Sequence, residues 1–164
     1  MSDDALFADA VAVVLAHEGG YWDDPAAGPT NFGFALKFNP DLTVDAIRHM
    51  TRGQAIARYR EKWWQPWRWH ELPRGIAIKT FDLAIDMGPG DAVRCLQRAL
   101  RAAGKPVKDD GALGTVTVTA AADADEGRLL AALRSESAAH YRLTVAAHPD
   151  RSADLTGWLA RAYS

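Results

Sequence analysis

Apolar residues recur at helical spacing along most of the chain. Phe7, Val11 and Val14 fall at i, i+4 and i+7, the stripe of an amphipathic helix. Asp3 and Asp4 suit its electropositive start, and Gly19-Gly20 is a natural stop. From Tyr21 to Phe38 the periodicity is lost among Gly, Pro, Asn and Asp, which predicts turns and a short hairpin. Thr43 can cap a short helix through Met50. Thr51-Arg-Gly-Gln54 has the form of a capping box and opens a helix towards Trp64 that Pro66 ends. Ile76 to Met87 reads as a broadly apolar helix stopped by Gly88-Pro89-Gly90, and Asp91 starts another from Ala92 to Ala103, closed by Gly104 and Pro106. Val116-Thr-Val-Thr119 alternates like a strand, but the alanines after it favour helix, which is the reading adopted. Leu129, Leu130, Leu133, Ser137, Tyr141 and Val145 predict a long penultimate helix, and a short one runs from about Leu155 to Tyr163.

The architecture expected from this pattern is mainly α. It has at most a small β-hairpin and a helical C-terminal lobe beyond a break near Gly104 to Gly114. The division would fall at residues 1–104 and 105–164, two lobes packed on each other or one continuous domain.

Composition narrows the function. The 164 residues are 48% apolar and 24% charged, which is ordinary for a globular chain and excludes disorder, collagen and coiled coil. Lys and Arg number 19 against 21 Asp and Glu, so the basic excess expected of a nucleic-acid binder is missing. The single cysteine, Cys95, can form no internal disulfide and reads as a small buried hydrophobe. No Cys/His spacing suits zinc, so neither a metal nor a cofactor is expected. The N-terminus lacks the basic region of a signal peptide, and the run from Ala10 to Ala16 is too short to cross a membrane. Synthesis in a cytoplasm, without stable membrane insertion, is the expectation.

Glu18 is the residue that most suggests chemistry. It extends the Phe7, Val11, Val14 stripe and is the last residue before the glycine pair. A carboxylate delivered to an apolar wall at the negative end of a helix is pressed towards its protonated form, the requirement for a general acid. The competing reading is a helix-end Glu that faces solvent or pairs with an arginine. His17, about 100° away around the helix, should not be its proton partner.

Downstream residues weigh for the acid. His17-Glu18-Gly19-Gly20-Tyr21 precedes Asp23-Asp24-Pro25 and then Gly28-Pro29-Thr30-Asn31-Phe32-Gly33-Phe34. This block resembles the N-terminal signature of glycoside hydrolase family 108, the bacterial and phage N-acetylmuramidases. Arg58-Tyr59-Arg60 with Trp63-Trp64, Phe81-Asp82-Leu83-Ala84 with Gly88 and Leu96-Gln97, Asp110-Gly111-Ala112-Leu113-Gly114, and Gly157-Trp158-Leu159-Ala160-Arg161 resemble further stretches of that family in order. The chain also departs from it. The loop between Asp24 and Thr30 is about two residues short, Ala26 and Ala27 replace a second Asp, and Asp86 stands where the family often has Asn.

The resemblance implies a lysozyme-like fold with a small peptidoglycan-binding-like C-terminal part. The implied activity is hydrolysis of the β-1,4 bond between N-acetylmuramic acid and N-acetylglucosamine, with inversion at the anomeric carbon. Glu18 would be the acid, Asp24 the second carboxylate and Thr30 the holder of the attacking water. Tyr21, Trp22 and Asn31 are the candidate sugar contacts, since aromatic faces suit sugar rings. Trp63 and Trp64 are assigned to the core. The implied partner is the glycan strand of peptidoglycan, with no nucleic acid, met by a monomer in the periplasm after release by a holin or another route. The alternatives are a non-catalytic wall-binding or secretion-assisting protein with the same fold, and a structural helical protein of a phage particle.

Overall fold

The computed structural model describes residues 2–24 and 28–164 of the chain. Eight α-helices and one small antiparallel sheet make up its regular structure. Helix α1 (Asp3–Glu18) starts at Ser2, whose hydroxyl accepts the Ala5 N–H, and ends at Gly19 with φ 63°. Strands β1 (Trp22–Asp24), β2 (Gly28–Asn31) and β3 (Phe34–Ala35) follow in the order β1-β2-β3. Trp22 pairs with Thr30, Thr30 with Ala35 and Asn31 with Phe34. The expected hairpin is thus extended by a third, two-residue strand. The turn that adds it is Phe32-Gly33, with φ 48° and 82°; two successive positive φ values match the right-handed twist of the strands they join.

Short helices carry the chain back to the body. Thr43 caps α2 (Val44–Arg48), and Thr51 and Gln54 form the expected capping box of α3 (Arg52–Tyr59). A π-helical turn over Arg60–Trp64 then continues α3 up to Gln65. Helices α4 (Arg74–Met87) and α5 (Pro89–Ala102) share Gly88, φ 90°, as their joint. Helix α5 therefore begins three residues before the expected Ala92. Pro89 is its first residue, where a missing N–H costs nothing. Helices α6 (Thr115–Ala122), α7 (Glu126–Ala147) and α8 (Leu155–Tyr163) complete the chain. The ambiguous Val116–Thr119 stretch lies inside α6.

Helix α4 is the central strut: Ile76, Ala77, Phe81 and Leu83 are fully buried, and α1, α5 and α7 pack around it. Phe7, Trp64 and Phe81 meet edge to face with ring centroids 5.0–6.3 Å apart, the arrangement that aromatic quadrupoles favour. The expectation for the tryptophan pair holds for Trp64, which is buried and donates its indole N–H to Asp3. Trp63 is partly buried and packs against the same core. Cys95 is fully buried, and burial pushes its thiol up to about 12. Among the described residues no helix is long and apolar enough to cross a membrane.

Two motifs far apart in sequence interlock in the second half. The Gln97 side chain accepts from the Asp110 and Gly111 N–H groups at 3.0 and 2.8 Å and donates to Asp110 Oδ1 and the Ala112 carbonyl at 2.8 and 3.1 Å. Gly111 has φ 75°, and a Cβ there would sit 2.9 Å from the Gly90 carbonyl. The Leu-Gln and Asp-Gly-x-x-Gly segments are therefore two sides of one hydrogen-bonded loop anchor.

Candidate active site

Helix α1 delivers Glu18 to the edge of the sheet, and α8 meets it there. Arg161 Nη1 donates to Glu18 Oε1 at 2.8 Å. Arg161 also bonds Asp82 of α4, through Nε at 3.1 Å and Nη2 at 2.9 Å to Oδ1, and donates to the Asp82 carbonyl at 3.2 Å. Asp86, one turn further along α4, has Oδ1 3.7 Å from the same Nη1. Burial works against the guanidinium's charge, but Asp82 and Glu18 outweigh it and hold the proton on. The wall behind Glu18 is thus not the apolar one that the helical stripe predicts. The stripe ends at Val14 and gives way to a polar cluster that includes an arginine.

Asp82 is the cluster's deepest member, with its side chain fully buried. His17 Nδ1 contacts its Oδ1 at 2.9 Å and Lys79 Nζ lies 3.7 Å from its Oδ2. His17 therefore engages Asp82 rather than Glu18, as its angle on the helix required. Lys79 also donates to the Arg161 carbonyl, and desolvation draws its proton affinity down.

The Phe32-Gly33 turn closes the other side. The Tyr59 hydroxyl donates to the Phe32 carbonyl at 2.8 Å; burial and the neighbouring Glu18 carboxylate keep its proton in place. Phe32 is the only non-glycine residue with positive φ among the described residues, a backbone state that surrounding contacts must hold. A Cβ on Gly33 would lie 2.5 Å from the Tyr59 oxygen and 2.7 Å from Glu18 Oε2. The glycine is required because the acid, the tyrosine and the turn converge on it.

A cavity of about 420 Å³ opens at this point, lined by Gly33, Phe38, Asn39, Tyr59, Trp63 and Asp86 among others. Phe38 is a large exposed apolar ring at its edge. Neither Phe38, Asn39, Tyr59, Asp86 nor Arg161 is singled out as a site residue by the chain's pattern. Each depends on a contact across at least two elements. The family motifs hinted at three of them, Tyr59 and Arg161 through Arg58-Tyr59 and Gly-Trp-Leu-x-Arg161, and Asp86 as a departure from the family's pattern.

The remaining candidates divide. Trp22 and Tyr21 are exposed, Trp22 to 64%, and Trp22 pairs across the ladder with Thr30, so their side chains share a sheet face. Among the described residues the contact of the Thr30 hydroxyl is a long one, 3.4 Å to the Gly28 carbonyl. Asn31 is corrected: it is buried, and its amide donates to the Ile47 and Met50 carbonyls at 2.9 and 3.4 Å. It ties the sheet to α2, which commits its Nδ2 to the backbone. The backbone of Asp24 pairs with Gly28. Its side chain and residues 25–27, on which the second carboxylate and the shortened loop depend, lie outside the described residues.

Comparison with known proteins divides the chain in two. Residues 11–88 match the glycosyl hydrolase 108 family model, and residues 91–163 match the model described as a predicted peptidoglycan domain. The solved structure of Brucella abortus SagA is similar over 98% of this chain and 95% of its own, with a TM-score of 0.73 and 27% identity. No match is found among curated proteins.

Proposed function

With the chain a lysozyme-like member of glycoside hydrolase family 108 that carries a peptidoglycan domain, we propose that it is an N-acetylmuramidase acting through Glu18. The bond cleaved is the β-1,4 link from N-acetylmuramic acid to N-acetylglucosamine. The observation that carries this reading is the convergence of Glu18, Gly33 and Tyr59 beside a cavity lined in part by Phe38 and Trp63. Helix α1 and the Phe32-Gly33 turn hold the carboxyl against Gly33, a residue of the cavity lining, and preorganised placement of a donor is what general acid catalysis needs. Glu18 protonates the leaving glycosidic oxygen. Thr30, with its weakly engaged hydroxyl, holds a water on the far face of the sugar, and inversion follows. Asp24 adds negative charge where the oxocarbenium-like state develops. Phe38, Trp63 and Trp22 offer faces for sugar rings. The enzyme works as a monomer in the periplasm, reached through a holin or another release route.

The test is loss of turbidity of permeabilised Gram-negative cells. Glu18→Gln keeps the shape and removes the proton, so the rate should fall about a thousandfold, within the range of about 10²–10⁴ ascribed to a positioned acid. Retention of more than about a tenth of wild-type lysis refutes the assignment, since removal of such a donor costs at least about a hundredfold. A second reading, a wall-binding protein without chemistry, draws on the pairing of Glu18 with Arg161. Wild-type binding to insoluble peptidoglycan with no release of reducing sugar would favour it. Proton NMR of fresh product reads the anomer, and a β-anomer overturns Thr30 as water holder.

A further inference from the structure

The Glu18–Arg161 pair poses a problem for an acid, because an arginine at 2.8 Å favours the ionised carboxylate. The surrounding charges resolve it. Three carboxylates, Glu18, Asp82 and Asp86, lie on the one guanidinium of Arg161. Lys79 is the other permanent cation, and desolvation weakens its hold on the proton. Glu18 and Asp86 thus face the same Nη1, at 2.8 and 3.7 Å, while Asp82 occupies Nε and Nη2. Of the three carboxylates Asp82 is fully buried, whereas Glu18 and Asp86 have side chains 18% and 21% exposed, and Asp86 lines the cavity. The groups facing Glu18 and Asp86 from the other packed elements are Tyr59 of α3 and Tyr141 of α7, whose phenol protons burial holds in place. Arg134 of α7 acts further back, on Lys79. None of these adds a cation beside Glu18 itself.

We propose that Asp86 is a positioning residue that takes a share of Arg161 and so leaves Glu18 able to hold the proton it must donate. This rests on the reading of Glu18 as the acid. A neutral amide in place of Asp86 would leave Nη1 to Glu18 alone, and the ionised form would be favoured.

The test uses the full chain with the Glu18 side-chain carboxyl followed by 13C NMR titration, beside the pH profile of lysis. In Asp86→Asn the Glu18 midpoint should move down by about one pH unit, the lower end of what a nearby charge does. The alkaline limb of the lysis profile should move with it. Asp86→Glu should restore both. A merely structural Asp86 would lower melting temperature and rate at every pH without moving the midpoint. Superimposable Glu18 titrations in the wild type and Asp86→Asn overturn the proposal. Asp86→Ser should lower the midpoint in the same way, and it replaces Asp86→Asn if the amide perturbs Tyr141. Because the titration needs no activity, it decides on Asp86 even if Glu18→Gln proves active, the result that would instead defeat the muramidase reading.

Discussion

Glu18 and Arg161 meet at 2.8 Å across 143 positions of sequence. The first belongs to the stretch matched by the hydrolase model and the second to the stretch matched by the peptidoglycan domain. The candidate active site is therefore not contained in the first half. Helix α8 supplies the cation that pairs with Glu18, and α4 carries the two aspartates beside it.

That dependence predicts a large effect of Arg161→Met. The change fills the volume but leaves Asp82 buried with its main partner gone. Breaking a buried pair costs about 3–5 kcal/mol, which for a chain of this size is a fall in Tm of about 10 °C. Thermal melts check it. Arg161→Lys should recover only part of the loss, because an ammonium cannot reproduce the contacts that Nε, Nη1 and Nη2 make together.

Gly33→Ala should uncouple activity from folding. The added methyl meets the Tyr59 oxygen and Glu18 Oε2 well inside contact distance, at φ 82°. Helical circular dichroism should persist while lysis falls about a hundredfold, the cost of misplacing a catalytic group by about 1 Å. Near-wild-type lysis by this variant would mean that the turn does not position the acid.

Asn31 and Trp22 should separate stability from binding. Asn31→Ala removes the donor to the buried Ile47 and Met50 carbonyls, of which Ile47 keeps the Met50 N–H at 3.2 Å, and should cost about 1–3 kcal/mol in denaturant melts, with glycan affinity unchanged. Trp22→Ala removes an exposed ring and should leave the melt unchanged while weakening retention on insoluble peptidoglycan. The reverse pattern would restore Asn31 as a sugar contact.

Acid stability should report Asp41. Hydrogen bonds from Arg58 and Lys62 hold its carboxyl down at about 2. A carboxyl depressed in the folded state stabilises above its unfolded value and loses that contribution as pH falls through the folded one. The difference in Tm between wild type and Asp41→Asn should thus be steady above about pH 4 and close between about 4 and 2. Melts across that range test it, and a difference independent of pH would show that the ion pairs contribute nothing.

Much of this molecule is legible in one dimension because its signals are local. The Phe7, Val11, Val14 stripe, the Thr43 cap and the Thr51–Gln54 box depend on neighbours within a few residues. A glycine pair ends α1 whatever lies beyond it. Glu18 was visible for the same reason, as a carboxylate at the end of an apolar stripe. What the stripe could not reveal was its partner, since Arg161 reaches it only when α8 folds over α4. The burial of Asn31 was equally hidden: its amide answers carbonyls at Ile47 and Met50 that sit near it only after α2 docks on β2. Gly33 looked like an ordinary turn residue until Tyr59 and Glu18 converged on it. Periodicity and capping act along the chain and can be read there. Charge balance, steric necessity and the shape of the cavity arise between elements, and tertiary packing alone decided them.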